Sequence, residues 1–88
     1  MAQFMVEMPH TREQCMEALD EIAQNPELLA KTEWGCMAGN HNGWAVVEAP
    51  SESDIRNIAP AALRDQLQIT EVQKLSAEQL KSMHEMAA

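Results

Sequence analysis

The chain has 88 residues, 14 of them acidic against 6 Lys+Arg, and a formal net charge of -8. That length holds one domain with one core, residues 1–88 as a single unit, and an acidic chain without clustered Lys or Arg has nothing with which to displace counterions from nucleic acid. No stretch approaches the roughly 20 apolar residues of a membrane span, and Met1 to Glu7 carries no basic leader, so a soluble, cytoplasmic protein is expected.

Phe4, Val6 and Met8 alternate with Met5 and Glu7, the period of a strand with one apolar face, and Pro9 ends it. Thr11-Arg12-Glu13-Gln14 is a capping box that predicts a helix start. In that helix Cys15, Ala18, Leu19 and Ile22 share a stripe opposite Glu13, Glu17, Asp20, Glu21 and Gln24, and Asn25-Pro26 reads as its stop. Cys15, on the inward stripe, reads as a small hydrophobe.

Strand-forming residues then run from about Lys31 to Ala38 and from Trp44 to Ala49, with turn residues Gly39-Asn40-His41-Asn42-Gly43 between, so a hairpin is predicted. Ser51 to Asp54 starts a second helix, with Ile55, Ile58, Ala59, Ala62 and Leu63 at helical spacing and Pro60 dividing it into two pieces. Leu67 to Leu75 reads as a last strand with blurred alternation. Ser76-Ala77-Glu78-Gln79 is a second capping box, opening a short helix whose stripe is Leu80, Met83 and Ala87 and which is expected to cover a sheet edge, its own or a partner's.

Strand, helix, hairpin, helix, strand is the split βαβ order. The expected class is α+β, a ferredoxin-like βαββαβ domain with a C-terminal helix, in which right-handed crossovers put the first and third strands in the centre. Helices then cover one sheet face and leave the other open.

The residues on that open face depend on hairpin register, since a slip of one residue turns every side chain over. With Gly39 to Gly43 as the loop, Ala38, Cys36 and Trp34 oppose Trp44, Val46 and Glu48, and all six share the open face with Met5 and Glu7. A loop one residue shorter buries Trp34 and Cys36 under the helices and sets Glu33 against Glu48. That like-charge pair favours the first register.

Phe4-x-Val6-Glu7, Trp34-x-Cys36, Trp44-x-Val46, Ala49-Pro50-x-Glu52 and Ile55-Arg56 together resemble, over the first two thirds of the chain, small ferredoxin-like proteins that pair their open faces as dimeric α/β barrels. Within that group the chain is similar to a mostly uncharacterised family with a nickel-binding member, which carries Trp-x-His where this chain has Trp34-Gly35-Cys36. The resemblance implies a homodimer or higher homo-oligomer and a divalent transition metal such as nickel. A thiolate in place of an imidazole implies a softer site.

The candidate ligand-binding residues are Glu7, Trp34, Cys36, Trp44 and Glu48, and the candidate metal ligands are Cys36, His10 and His41. His10 follows the first strand and His41 lies in the hairpin, at the same end of the sheet. Nucleophilic catalysis by Cys36 is disfavoured at a mid-strand position beside Glu7 or Glu48. The two tryptophans are read as packing residues or pocket walls, His84 as a partly buried packing residue, and the methionines as core filler.

The expected function is a homodimeric binding protein that holds a metal or small ligand at the open sheet face. One alternative is a cofactor-free isomerase or monooxygenase using Glu7 or Glu48 as proton carrier. The other is a structural oligomerisation module.

Overall fold

Period-two alternation writes the first strand as expected. Phe4, Val6 and Met8 are buried, and β1 runs Ala2–Glu7 in the computed structural model, which describes residues 1–87. The Thr11 box is made: Gln14 N–H donates to Thr11 Oγ1 at 3.2 Å and Thr11 N–H to Gln14 Oε1 at 3.0 Å. A turn follows, and helix α1 occupies Cys15–Ile22 with Ala18 and Ile22 buried.

Asn25-Pro26 begins a helix as well as following one, which corrects the expectation of a simple stop. Asn25 Oδ1 accepts from Leu28 N–H at 3.3 Å, Pro26 takes the first helical position, and α2 spans Pro26–Lys31. Proline is pre-organised there and its missing N–H costs nothing. Glu27 in the first turn and Lys31 in the last suit the helix dipole.

This helix consumes the start of the expected strand. Strand β2 is only Thr32–Trp34, a 3-10 turn follows at Cys36–Ala38, and β3 runs Gly43–Ala49. The pairing is Thr32 with Ala45, Glu33 with Trp44 and Trp34 with Gly43, and Gly35 N–H extends it to the Asn42 carbonyl at 3.0 Å. Neither expected pairing is made and the connecting loop is Cys36 to His41, although Trp34 and Cys36 lie on the helix side, the side the shorter loop gave them.

The physical reason is steric. A Cβ on Gly43 would stand 2.7 Å from the Trp34 ring, so the bulky indole faces the one residue of β3 that leaves room for it. Trp34 consequently packs against the core on the helix side, with Ala45 and Val47, and Trp44 lies on the open side with Glu33.

Helix α3 spans Glu52–Ile58, and Pro60 divides it from a 3-10 turn at Ala61–Leu63, the two-piece arrangement expected. Strand β4, Gln68–Val72, pairs antiparallel with β1. The architecture is α+β: a four-stranded antiparallel open sheet in the order β2-β3-β1-β4, with β1 and β3 inside. The core, led by Met8, Ile22, Ile55, Leu63 and Val6, lies between the sheet and the helices.

The second box is also made, Ser76 N–H donating to Gln79 Oε1 at 2.8 Å, and α4 runs Ala77–Ala87. It covers no edge of its own sheet: every described side chain from Ala77 to Met86 is exposed, His84 among them. Ala87 has its side chain outside the described residues. Nor are most of the methionines core residues, since Met37 and Met86 are exposed while Met8 is fully buried. No helix among the described residues is long and apolar enough to cross a membrane.

Candidate metal centre

The β1–β3 ladder does not stop where the regular strands do. Met8 N–H donates to the Gly43 carbonyl at 2.8 Å and His10 N–H to the His41 carbonyl at 3.1 Å, which continues the register of the strands above. His10 and His41 are thus a cross-strand pair, on the same sheet side as buried Met8, with ring centroids 5.7 Å apart. Gln66 holds this segment, donating to the Pro9 carbonyl at 3.3 Å and meeting Gln14 at 3.0 Å.

Two thiols complete the cluster. Cys36, first residue of the loop that His41 closes, has its sulfur 3.3 Å from His10 Nε2. Cys15, at the start of α1, descends from the helix layer. One ligand atom from each of His10, Cys15, Cys36 and His41 lies within 4.8 Å of all the others, so the four could hold a metal ion.

The imidazole of His10 is oriented for that task. Its Nδ1 lies 2.9 Å from the Met8 carbonyl. A carbonyl only accepts, so Nδ1 carries the proton and Nε2 turns its lone pair toward the sulfur. Metal-binding histidines are commonly fixed in this way by a backbone carbonyl behind the ring.

His41 Nδ1 is buried with no hydrogen-bond partner among the described residues. An orphaned buried polar atom costs roughly 1–3 kcal/mol, and an ion shared with the neighbouring thiols would remove that cost. Burial pushes the Cys36 thiol pKa up, and the adjacent Cys15 adds to the effect, against a smaller opposing backbone hydrogen bond. A thiol whose pKa is raised by folding favours the folded, metal-free chain while it keeps its proton, and that contribution is lost as pH rises through the raised value. Metal binding must displace that proton, so affinity rises with pH.

The donor set suits a transition metal. Two thiolates with two imidazoles is the composition of tetrahedral zinc-type sites. Bond lengths of about 2.3 Å to sulfur and 2.0 Å to nitrogen would set each sulfur about 3.5 Å from each nitrogen. The Cys36–His10 pair already stands at 3.3 Å.

The expected ligand-binding residues divide between two places. Cys36 and, behind it, Trp34 belong to the helix side, where Trp34 meets His10 edge-on at 6.1 Å. Glu7, Trp44 and Glu48 belong to the open face. Glu7 opposes Trp44 while Glu48 opposes Gln3 and accepts from its side chain at 3.4 Å, so the carboxylates stand four positions apart, about 13 Å along a strand. They share no proton, and the geometry gives the expected proton-carrying pair no support.

Cys36 is also not mid-strand beside Glu7 or Glu48, contrary to the register first favoured. Cys15 is the member that sequence reasoning missed. The signal was present in paired spacing: four residues separate His10 from Cys15, and four separate Cys36 from His41. Two such pairs at a distance resemble the clipped spacing of zinc sites more than either pair does alone.

The loop that carries Cys36 and His41 leaves no slack at Gly35. A Cβ there would lie 2.7 Å from the Asn40 carbonyl and 3.0 Å from the Trp44 ring. Gly35→Ala is expected to cost about 1–3 kcal/mol through this overpacking, measured by chemical denaturation, and to weaken metal binding with it. Gly39, whose φ is 88° with open space around it, is expected to cost about 1 kcal/mol as alanine, with metal affinity nearly unchanged.

Comparison with protein-family models, with curated proteins and with solved structures found no match for this chain.

Proposed function

We propose that this chain is a small metal-binding protein, and that His10, Cys15, Cys36 and His41 hold one transition-metal ion in a closed, four-ligand, non-catalytic centre. The observation that carries this reading is the convergence of two sulfurs and two imidazole nitrogens within 4.8 Å, at the end of an otherwise apolar core. The orphaned nitrogen of His41 and the carbonyl-fixed ring of His10 support it.

The ferredoxin-like reading of the domain is supported by the strand order, with β1 and β3 inside. In place of a nickel site at the open face, this reading puts the metal on the helix side, and the two thiolates favour zinc over the harder preferences of an oxygen-rich site. Four protein ligands leave no open position for a substrate, which distinguishes a structural or storage centre from a catalytic one.

Cobalt(II) is the test, because it reports its own coordination. Reduced protein titrated with cobalt is expected to develop thiolate charge-transfer and tetrahedral ligand-field bands that saturate at one ion per chain, and zinc is expected to displace it. Cys15→Ser and Cys36→Ser should each weaken binding by about 10–100-fold or more, by comparison with second-shell losses of that size. A wild-type spectrum identical to aqueous cobalt would refute the proposal.

A further inference from the structure

Away from the His and Cys cluster, the described residues leave two apolar surfaces without a partner. One is the open sheet face, where Met5, Trp44, Val46 and Val72 form the centre and a shallow cavity of about 360 Å³ lies against Met5, Trp44 and Val46. The other is α4, with Leu80 and Met83 on its stripe and Leu75 just before it, each about half exposed. The helix stands clear of the body: the radius of gyration is 15.8 Å and the long axis 50 Å, against a radius of about 12 Å for a compact domain of this length.

Neither surface is at rest in water. A helix of 11 residues falls below the roughly 12–15 residues at which isolated helices become even marginal, so α4 needs a surface to lie on. An apolar sheet face needs cover. The same chain supplies both.

Charge decides how two copies meet. Glu7, Glu33 and Glu48 share the open face, with Lys31 beside Glu33 at the cavity, so direct sheet-on-sheet pairing would set three carboxylates and one ammonium against the same set, a net negative face against another. The stripe of α4 brings no carboxylate. At helical spacing Gln79 and His84 flank Leu80 and Met83, while Glu78 and Glu85 fall on the far side. Residues 1–72 carry the whole net charge of -8, since Lys74 and Lys81 balance Glu78 and Glu85 in the rest.

Length agrees. The helix is about 16 Å long, and four strands spaced about 4.8 Å apart span about 14 Å from the first to the last, so one α4 reaches across one sheet. We propose that the open sheet face and α4 are the two halves of one interface between two copies of this chain, the α4 of each lying across the sheet of the other. A two-fold exchange of this kind satisfies both surfaces at once and closes on itself. It does not depend on the metal reading.

The test is the mass of the untagged full chain in solution, by light scattering across a dilution series, with and without substitutions. The wild type is expected to be a dimer. L80E/M83E changes only side chains that stand free of the body, and it is expected to weaken association by about tenfold or more with an unchanged far-ultraviolet spectrum of the body. V46E, at an exposed position of the face, should do the same, and mixing the two variants should restore part of the association, because each retains the half the other lacks.

Zero-length coupling of Lys74 or Lys81 to Glu7, Glu33 or Glu48 in a mixture of isotopically light and heavy chains should join light to heavy. A monomeric wild type would overturn the proposal. So would a dimer untouched by L80E/M83E, which would mean sheet-on-sheet pairing, or cross-links confined within single chains, which would mean α4 folds onto its own sheet.

Discussion

Saturation with zinc is expected to raise the melting temperature of the reduced chain by about 10–20 °C. The figure follows from linkage: an ion that binds only the folded state, present at about 100 times its dissociation constant, adds about 2.7 kcal/mol, and a domain of this size shifts by about 4–8 °C per kcal/mol. Calorimetry with and without zinc reads it directly. Cys15→Ser or Cys36→Ser should cut the shift at the same zinc concentration to about half or less while moving the metal-free melting temperature much less, since both cysteines are only partly buried.

His41→Ala should separate ligation from packing. Without metal it removes a ring contact with His10 but also an orphaned buried nitrogen, so the metal-free protein is expected to change little. With zinc the rise should vanish. The rise should also shrink in mild acid, because thiols and imidazoles that keep their protons cannot ligate, and the raised pKa of Cys36 extends that competition upward in pH.

The second large effect lies in the core. Met8 and Leu63 are fully buried, and truncating either to alanine is expected to cost about 2–5 kcal/mol through lost transfer energy and a residual cavity. A domain of this length has about 4–13 kcal/mol in total, so either variant stands near unfolding at 37 °C. Urea denaturation of the metal-free forms measures the loss.

Zinc distinguishes the two. Leu63 lies in the turn after α3 and supplies no ligand, so its loss is expected to cost core packing with a smaller effect on the metal term. Met8 is coupled to the site, because its carbonyl orients His10 and its N–H pairs with Gly43. Met8→Ala is expected to lose metal affinity along with stability, so zinc should rescue it less than it rescues Leu63→Ala.

Much of the fold could be read from the sequence because the local signals were unopposed. Both capping boxes, the alternation of Phe4, Val6 and Met8, and the break at Pro60 each depend on a few neighbouring residues, and each is realised. Asn25-Pro26 was ambiguous for a physical reason. The same pair that ends one helix caps the next, and only the acidic and basic ends of Pro26–Lys31 tell the second role.

The hairpin was misread because its register is a tertiary property. Turn chemistry at residues 39–43 suggested where the chain reverses, but the fit of the Trp34 ring over Gly43 decides the pairing. The site inherited that error. His10, Cys36 and His41 were recognised as candidates by chemistry, yet Cys15 was assigned to the core because a free cysteine on an apolar stripe is chemically indistinguishable from a small hydrophobe until its neighbours are known.

The histidines owe their meeting to the ladder that pairs His10 with His41, and this makes the centre intolerant of insertion and deletion in a way that most surface loops are not. One residue gained or lost between His41 and Trp44 would turn the His41 side chain to the opposite side of the sheet, whereas the six positions from Cys36 to His41 form a loop whose exposed middle, around Met37, is free to vary. Any lineage that keeps this cluster is therefore expected to vary freely in identity at residues 37, 38 and 40, to favour glycine at 39 where φ is 88°, and to hold fixed the number of residues between His41 and Trp44.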